Sequence, residues 1–328
     1  MSAQLHRILP GHTTVIFNVF PTNKDTIVLL QQESLFIEDN GHQLHLRHIY
    51  KPTTTGKPGG VPVLMVHGAV ENGRIFYTEK GKGLGCYLAE QGFDVYVLDL
   101  RGRGKSTPLI NAESDYGQFE VITHDLPLII EHIFTLTEQP MHLISHSWGG
   151  VLVASVLARH AEIITRVRTN ICFGTKRSIT VSGIEKYLKV DLFWNRLALR
   201  MAKHKGYLDA KKYGIGSDNE TQKSLAHSVA WVKRGPWHDP VDGFDYRTAA
   251  KNTLWPPTWH LTGINDSVLG NKVDVKYFID ETENCNAKLT VLSKRNGNAV
   301  DYDHIDILTH AKAVDDHFPK LVNWLNEQ

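Results

Sequence analysis

Residues 142–151, with the sequence HLISHSWGGV, decide how this chain folds. A short apolar run ends at Ser147 and a second apolar run follows, which predicts a strand, a sharp turn and a helix. This is the geometry of a nucleophile elbow, which exposes the hydroxyl at its apex above a sheet. Residues two before and two after the apex must be small, and Ser145 and Gly149 both are. The N–H group of Trp148, at the start of the helix, would point toward a developing oxyanion.

Strand and helix patterns alternate on both sides of this turn. Strands are predicted at 26–39, 43–53, 61–68, 94–102, 141–145, 166–174, 257–266 and 287–293, helices at 75–92, 119–139, 148–163 and about 310–327, and a loop at 53–60. Continuous apolar runs such as 61–68 are typical of strands that are buried on both faces. The alternation implies right-handed crossovers and predicts an α/β fold, with a mostly parallel central sheet flanked by helices.

The alternation stops between residues 177 and 254. This segment carries tryptophans and many Lys and Arg residues without a strand rhythm, so it predicts a helical insertion. We therefore expect a core domain made of residues 1–176 and 255–328, and a helical cap, or lid, made of residues 177–254. An insertion at this place leaves the sheet at the same edge as the elbow, so the cap is expected to cover Ser147.

Composition excludes several classes of protein. The chain has 328 residues, of which 41% are hydrophobic and 22% charged, and its net charge of +1 gives no electrostatic reason to expect nucleic acid or an anionic membrane as a partner. No apolar run is long enough to span a membrane, and the first residues lack a signal-peptide pattern. The widely spaced cysteines Cys86, Cys172 and Cys285 suggest neither a zinc site nor disulfides. We expect a cytoplasmic protein without cofactor or metal, and composition leaves its oligomeric state open.

A second oxyanion donor is predicted near the start of the core. The strand at 61–68 ends in His67-Gly68, one strand–helix–strand–helix segment before the elbow. In hydrolases with such an elbow, the backbone N–H that follows this turn faces the same oxyanion, and here it belongs to Ala69. The alternative is a glycine turn in which His67 is only structural.

A candidate acid lies after a late strand. The strand at 257–266 runs into Gly263-Ile264-Asn265-Asp266, and a carboxylate at the carboxyl end of a parallel strand can orient a catalytic histidine. The alternative is a turn or helix cap, because Asn and Asp favour both.

The candidate general base is His304. The chain has 18 histidines, so position must select one, and His304 falls between the last predicted strand and the last predicted helix. With Ser147 and Asp266 it gives the order Ser, Asp, His. His310 is the nearest competitor, but it is expected to lie within the final helix, and His146 is expected to pack beside the elbow.

These motifs together resemble the α/β-hydrolase superfamily over roughly residues 60–175 and 250–328. Three stretches are similar to acid lipases of the gastric and lysosomal type: GFDVYVLDLRG (92–102), THDLPLIIEHI (123–133) and YDHIDIL (302–308). The resemblance implies a Ser147–His304–Asp266 triad, an oxyanion hole formed by Ala69 and Trp148, no metal or cofactor, and a helical cap. The chain departs from acid lipases by lacking their signal peptide, by Ser145 where they have glycine, and by Trp148 where they carry Gln. Bacterial polyester synthases share similar blocks but use a cysteine nucleophile, so the serine argues against that role.

The segment RGRGKS (101–106) lacks the spacing of a phosphate-binding loop. We expect it to form the structural turn after the fourth core strand, with Arg103 left as a candidate for the pocket.

The sequence thus predicts a serine hydrolase that cleaves carboxylic esters of a small or medium hydrophobic substrate. Apolar side chains are expected to serve both the packing of the cap and the wall of an acyl pocket: Trp194, Trp231, Trp237, Trp255, Leu192, Phe193, Leu197 and Leu199. A thioesterase, an amidase or a carbon–carbon hydrolase with the same triad stays open, as does a non-catalytic protein that binds a ligand in this fold.

Overall fold

The computed structural model describes residues 15–16, 30–53 and 58–328. Three sequence expectations fall on other residues: the missing signal-peptide pattern, the first part of the strand predicted at 26–39, and the middle of the loop predicted at 53–60. The strands of the described part are β1 (Val15–Ile16), β2 (Gln31–Asp39), β3 (His42–Tyr50), β4 (Pro62–Val66), β5 (Asp94–Asp99), β6 (Met141–His146), β7 (Val167–Phe173), β8 (Tyr207–Leu208), β9 (Glu220–Thr221), β10 (Thr258–Gly263) and β11 (Ala287–Leu292).

Helices follow most of the core strands. They are α1 (Leu84–Glu90), α2 (Gln118–Glu120), α3 (Leu126–Thr137), α4 (Trp148–Arg159), α5 (Ile184–Lys186), α6 (Leu199–Lys205), α7 (Gln222–Val232), α8 (Tyr246–Lys251), α9 (Lys272–Thr282), α10 (Asp306–Thr309) and α11 (Phe318–Asn326). A π-helical turn, Val121–Asp125, joins α2 to α3, and a longer π-helical segment, Tyr187–Ala198, joins α5 to α6. None of the helices in the described ranges is long and apolar enough to cross a bilayer.

Nine of these strands form one sheet, in the order β1-β2-β3-β5-β4-β6-β7-β10-β11. The pairs β1–β2, β2–β3 and β3–β5 are antiparallel, and every pair from β5 to β11 is parallel. The carboxyl ends of the parallel strands therefore meet at one edge of the sheet. The predicted α/β fold with a mostly parallel sheet is confirmed.

Alternating side chains of the central strands fill two cores. On β4, Val63 and Met65 pack with α1 and α11, whereas Leu64 and Val66 pack with α3 and α4 on the opposite face. This period of two is what a strand covered by helices on both sides requires. The sheet is thereby held rigidly from both faces, which fixes the edge where the polar turns lie.

Several predicted boundaries are wrong. The helix expected at 75–92 is shortened to α1, because positive-φ glycines at 81 and 83 hold the preceding chain in turns. The helix expected from about 310 begins only at Phe318, after a 3₁₀ turn. The helix α9 is not predicted by the sequence. Its buried face includes the charged residues Asp274 and Glu281, so the apolar periodicity of a helix is interrupted there.

Residues 177–254 contain α5 to α8 and the two-residue pair β8–β9. Trp231 and Trp237 are buried in the same core as α4, and Arg177 ties the start of the segment to Glu281 of α9. Near β9, Asp218 accepts hydrogen bonds from the side chain of Asn72 at 2.7 Å and from the backbone of Gly104 at 2.8 Å. The segment is therefore fastened to the loops at the carboxyl edge of the sheet.

Candidate active site

Ser147 stands at the turn between β6 and α4. Its backbone has a positive φ of 52° with ψ −122°, a conformation that costs free energy for any residue but glycine. The N–H of Ser147 donates to the carbonyl of Phe173 at 2.7 Å and holds the turn against β7. A Cβ atom on Gly149 would lie only 2.4 Å from the carbonyl oxygen of His67, so glycine is required there. This is the local geometry that the sequence predicts.

Ser145 is accommodated where related elbows carry glycine. Its side chain is fully buried, and its hydroxyl donates to the carbonyl of Ile171 at 3.2 Å, so burial leaves the group satisfied. A Cβ atom on Gly150 would approach the Ser145 hydroxyl to 2.9 Å. The space beside Ser145 therefore depends on glycine at position 150.

The structure brings Ser147, His304 and Asp266 into one hydrogen-bonded chain. His304 Nδ1 donates to Asp266 Oδ2 at 2.6 Å, and Nε2 lies 2.9 Å from Ser147 Oγ. Because an ionised carboxylate can only accept, Nδ1 carries the proton and Nε2 is free to accept one from the serine. Asp266 Oδ1 accepts the backbone N–H of Gly270 at 2.7 Å, which fixes the carboxylate. His310 lies elsewhere, and its Nδ1 caps a 3₁₀ turn by accepting from Lys312.

The protonation states of these groups suit proton transfer. Burial lowers the pKa of His304, and the nearby positive charges of His146 and Lys176 lower it further, against the raising effect of Asp266. Burial raises the pKa of Asp266, but the hydrogen bonds from His304 and from the backbone of Gly270 help to outweigh burial, so the pKa lies below its ordinary value. His304 is therefore neutral and Asp266 ionised near neutral pH.

The turn at Gly68 lies directly against the serine. A Cβ atom on Gly68 would meet Ser147 Cβ at 3.0 Å, and Ala69 and Trp148 line the same cavity as Ser147 and His304. The imidazole of His67 is fully buried and accepts the N–H of Leu100 at 3.0 Å, so His67 itself is structural. Burial and the charge of Arg103 lower the pKa of His67, which keeps the ring neutral.

The loop after Ala69 is held in place from residues 177–254. Val70 has φ +51°, an unusual conformation for a β-branched residue. Its carbonyl accepts the N–H of Asp218 at 3.1 Å, and its N–H donates to Glu220 at 3.3 Å. Glu220 also pairs with Arg103, so Arg103 supports this loop through a buried ion pair.

Sequence reasoning missed a buried pair beside the elbow. His146 Nδ1 donates to Glu71 Oε2 at 2.9 Å, and His146 Nε2 donates to the backbone carbonyl of His304 at 2.9 Å. Burial raises the pKa of Glu71, but the charge and hydrogen bond of His146 lower it to about 2. Burial lowers the pKa of His146, but Glu71 outweighs burial and raises it. No spacing rule relates Glu71 to His146, which are far apart in the chain, so only the folded contact identifies the pair.

A cavity of about 900 Å³ opens above Ser147 and His304. Its wall is mainly apolar, with contributions from Val70, Leu188, Val190, Phe193, Trp194 and Ile215. Of the apolar set expected at the pocket, Phe193 and Trp194 line it. The others do not: Trp231, Trp237 and Trp255 are buried in the core, Leu192 and Leu197 are exposed, and Leu199 packs within residues 177–254.

Within the described ranges, one group has the spacing of metal ligands: Asp39, His124 and Asp125. The guanidinium of Arg101 already bridges both carboxylates. A cation at this place would have to displace a buried arginine, so the residues do not fit a metal site.

A mostly parallel sheet with a serine at a sharp strand–helix turn defines the α/β-hydrolases. Residues 59–294 match the Hydrolase_4 family, described as serine aminopeptidase, S33, and the chain belongs to this family. Its fold is that of the α/β-hydrolases, and it is a member of a serine hydrolase family with lipase and lysophospholipase relatives.

Curated relatives match only part of the chain. Triacylglycerol lipase 2 of Arabidopsis thaliana is 29% identical over 136 residues, which cover 37% of this chain and 32% of the lipase. A probable lysophospholipase L2 of Haemophilus influenzae is 29% identical over 125 residues, which cover 38% of this chain and 37% of that protein. The chain thus spans about a third of the length of these relatives.

Solved structures match more of the chain at lower identity. A soluble variant of monoglyceride lipase from Saccharomyces cerevisiae, in complex with a substrate analog, aligns with a TM-score of 0.66 at 15% identity. The alignment covers 94% of this chain and 98% of that structure, which establishes the shared fold.

Proposed function

We propose that the protein is an esterase that cleaves carboxylic esters of small or medium hydrophobic substrates through Ser147, His304 and Asp266. The observation that carries the proposal is the continuous hydrogen-bonded chain from Asp266 through His304 to the hydroxyl of Ser147. The lipase relatives and the acid-lipase resemblance of residues 92–102, 123–133 and 302–308 favour an ester over other acyl compounds.

In the proposed mechanism these groups act in turn. As Ser147 Oγ attacks the ester carbonyl, its proton passes to His304 Nε2, and Asp266 stabilises the imidazolium that forms. His304 then gives the proton to the leaving alcohol, and an acyl-serine remains. Water, deprotonated by His304, attacks the acyl carbonyl and releases the acid.

The oxyanion that forms in both steps needs donors. In this proposal the backbone N–H groups of Ala69 and Trp148 supply them, and each such donor stabilises the transition state by about 3–4 kcal/mol in comparable enzymes. The N–H of Trp148 adds the positive end of the α4 helix dipole. Residues 177–254 act as the lid over this centre, since Phe193 and Trp194 form part of the cavity wall.

The experiment measures covalent labelling of Ser147 and turnover of ester substrates with the full chain. A fluorophosphonate should label Ser147, and Ser147→Ala should abolish both labelling and hydrolysis of p-nitrophenyl esters. Ser155→Ala is the matched control, because Ser155 lies on α4 and its buried hydroxyl donates only to the carbonyl of Val151. Near wild-type turnover by Ser147→Ala would contradict the proposal.

The ester series also tests the hydrophobic substrate. Each buried methylene contributes about 0.8 kcal/mol at most, so kcat/KM should rise over the first carbons added to an acetate-sized acyl group. Thioesters and amides belong in the same screen, because a triad of this kind can act on either. A steady fall in kcat/KM from acetate onward would contradict the apolar acyl site and leave the triad intact.

A further inference from the structure

Lys176 is a buried lysine in the wall of the catalytic cavity. It lies three residues beyond the end of β7, is 4% exposed, and lines the cavity together with Ser147 and His304. Within residues 30–53 and 58–328, it forms neither a hydrogen bond nor an ion pair with another side chain or with the backbone. A lysine is rarely buried to this extent without a partner, because an unpaired buried charge is costly.

The neighbouring residue shows how this protein normally treats a buried cation. Arg177 is fully buried, and it donates to both carboxylate oxygens of Glu281 and to the carbonyls of Trp231 and Gly235. Lys176 has no comparable set of acceptors. Contacts within the described part of the chain therefore leave the amino group of Lys176 without an acceptor.

The carboxylates that act electrostatically on Lys176 are already engaged. Asp266 accepts from His304 and Gly270, and Glu71 accepts from His146 and Gly68. The third carboxylate is Asp274, which accepts from the backbone and hydroxyl of Thr180. Burial lowers the pKa of Lys176, and the negative charges of these three residues oppose that effect. The negative charges of these carboxylates thus act on the amino group of Lys176, but none of them accepts a hydrogen bond from it.

The other cations of the cavity wall differ from Lys176. Arg74 and Lys189 each have a side chain that is 57% exposed, and they pair with Glu79 and Glu185 respectively. Both side chains are therefore solvated and already paired with a carboxylate. Among the described cations of the wall, Lys176 is thus the one whose charge is buried and available to a ligand.

We infer that Lys176 binds a carboxylate carried by the substrate, so that the ester is an amphiphile with an apolar chain and one acidic group. This inference rests on the proposed esterase function and names its substrate class. The ammonium of Lys176 can donate charge-assisted hydrogen bonds to such a carboxylate, since no side chain of the described residues already accepts from it. The apolar wall receives the chain, and Lys176 fixes its orientation relative to Ser147.

The test compares esters that differ only in charge. The substrates are p-nitrophenyl monoesters of adipic, pimelic and suberic acid, each against the isosteric ester that ends in a primary amide. A charged hydrogen bond in a buried site corresponds to about tenfold to a hundredfold in affinity. The wild type should therefore favour the carboxylate by at least about tenfold in kcat/KM at the best chain length, and Lys176→Met should abolish or reverse this ratio.

Two control variants make the result specific. Lys176→Arg keeps a cation and should keep a preference for the carboxylate. Lys189→Met removes an exposed, already paired charge from the same wall and should keep it too. The thermal unfolding midpoint and the rate at which a neutral fluorophosphonate labels Ser147 report whether each variant is folded and competent.

The outcomes separate this inference from the proposed function. Failure of Ser147 labelling and of all ester turnover would overturn both. Labelling of Ser147 with equal kcat/KM for acid and amide esters of the wild type would overturn the role of Lys176 alone, whether or not Lys176→Met folds. A preference for an ester ending in methyl phosphate, without one for any carboxylate, would overturn the assignment of the carboxylate.

Discussion

Gly174→Ala is a small change that should disturb the candidate base directly. Gly174 follows β7 with φ +58°, and a methyl group added there would lie 2.9 Å from His304 Nδ1 and 3.0 Å from its Cε1. The same methyl group would be 3.6 Å from Asp266 Oδ2, an ordinary contact. The strain therefore falls on the imidazole ring and leaves the carboxylate in place.

The size of the effect follows from these distances. Relief of the contact to an ordinary separation of about 3.5 Å moves the ring by about half an ångström. A misplacement of about 1 Å costs on the order of a hundredfold in rate, so we expect kcat to fall about tenfold. The left-handed backbone adds a stability cost of about 1–2 kcal/mol, because alanine has a Cβ atom where glycine has none.

Gly243→Ala separates the two effects. Gly243 also has a positive φ, +75°, but an added methyl group there would meet nothing within 4 Å. Both variants should lose similar stability in urea unfolding, whereas only Gly174→Ala should lose kcat with a p-nitrophenyl ester. Equal kcat for the two variants would refute the placement of His304 over Gly174.

The remaining predictions concern the two acids at the site. Asp266→Asn should lower kcat by about 10⁴-fold. Because Asp266 raises the pKa of His304, the acidic limb of the pH profile of kcat/KM should move to lower pH in this variant. An unchanged limb would count against the contact between Asp266 and His304. Glu71→Gln should cost up to about 3 kcal/mol of unfolding free energy above pH 4.5, since the fold lowers the pKa of Glu71 from 4.5 to about 2. In urea titrations that cost should shrink as pH falls from 4.5 toward 2, and also as pH rises above 6.5 through the raised pKa of His146; a difference independent of pH would contradict the ion pair.

Much of the fold and the core of the candidate site could be predicted from local sequence. Continuous apolar runs locate the buried strands β4, β5 and β6, and parallel pairing brings their carboxyl ends to one edge. Once Ser147 is placed at that edge, Asp266 and His304 follow from their positions after late strands. The structure joins all three by hydrogen bonds, and their catalytic role stays a prediction.

The parts that sequence reasoning missed depend on contacts between distant segments. Glu71 and Lys176 carry no local pattern, because their roles arise only when three loops meet at the sheet edge. Gly174 carries no recognisable sequence pattern, because its close approach to His304 exists only in the folded chain. The tryptophans of residues 177–254 show the reverse case, in which an apolar composition suggests a pocket but Trp231 and Trp237 serve the core.

His146 explains how three loops from distant parts of the chain can hold one geometry. Both of its hydrogen-bond partners, the carboxylate of Glu71 and the carbonyl of His304, can only accept, so both ring nitrogens must donate and the ring is positively charged. Glu71 in turn accepts the N–H of Gly68 at 2.9 Å, which fixes the turn that precedes Ala69. The ring centroids of His146 and His304 lie 4.7 Å apart, and the charge of His146 lowers the pKa of His304. The residue before Ser147 thus couples the position of His304 to its protonation, because the charge that binds the loops together also adds to burial in keeping His304 neutral.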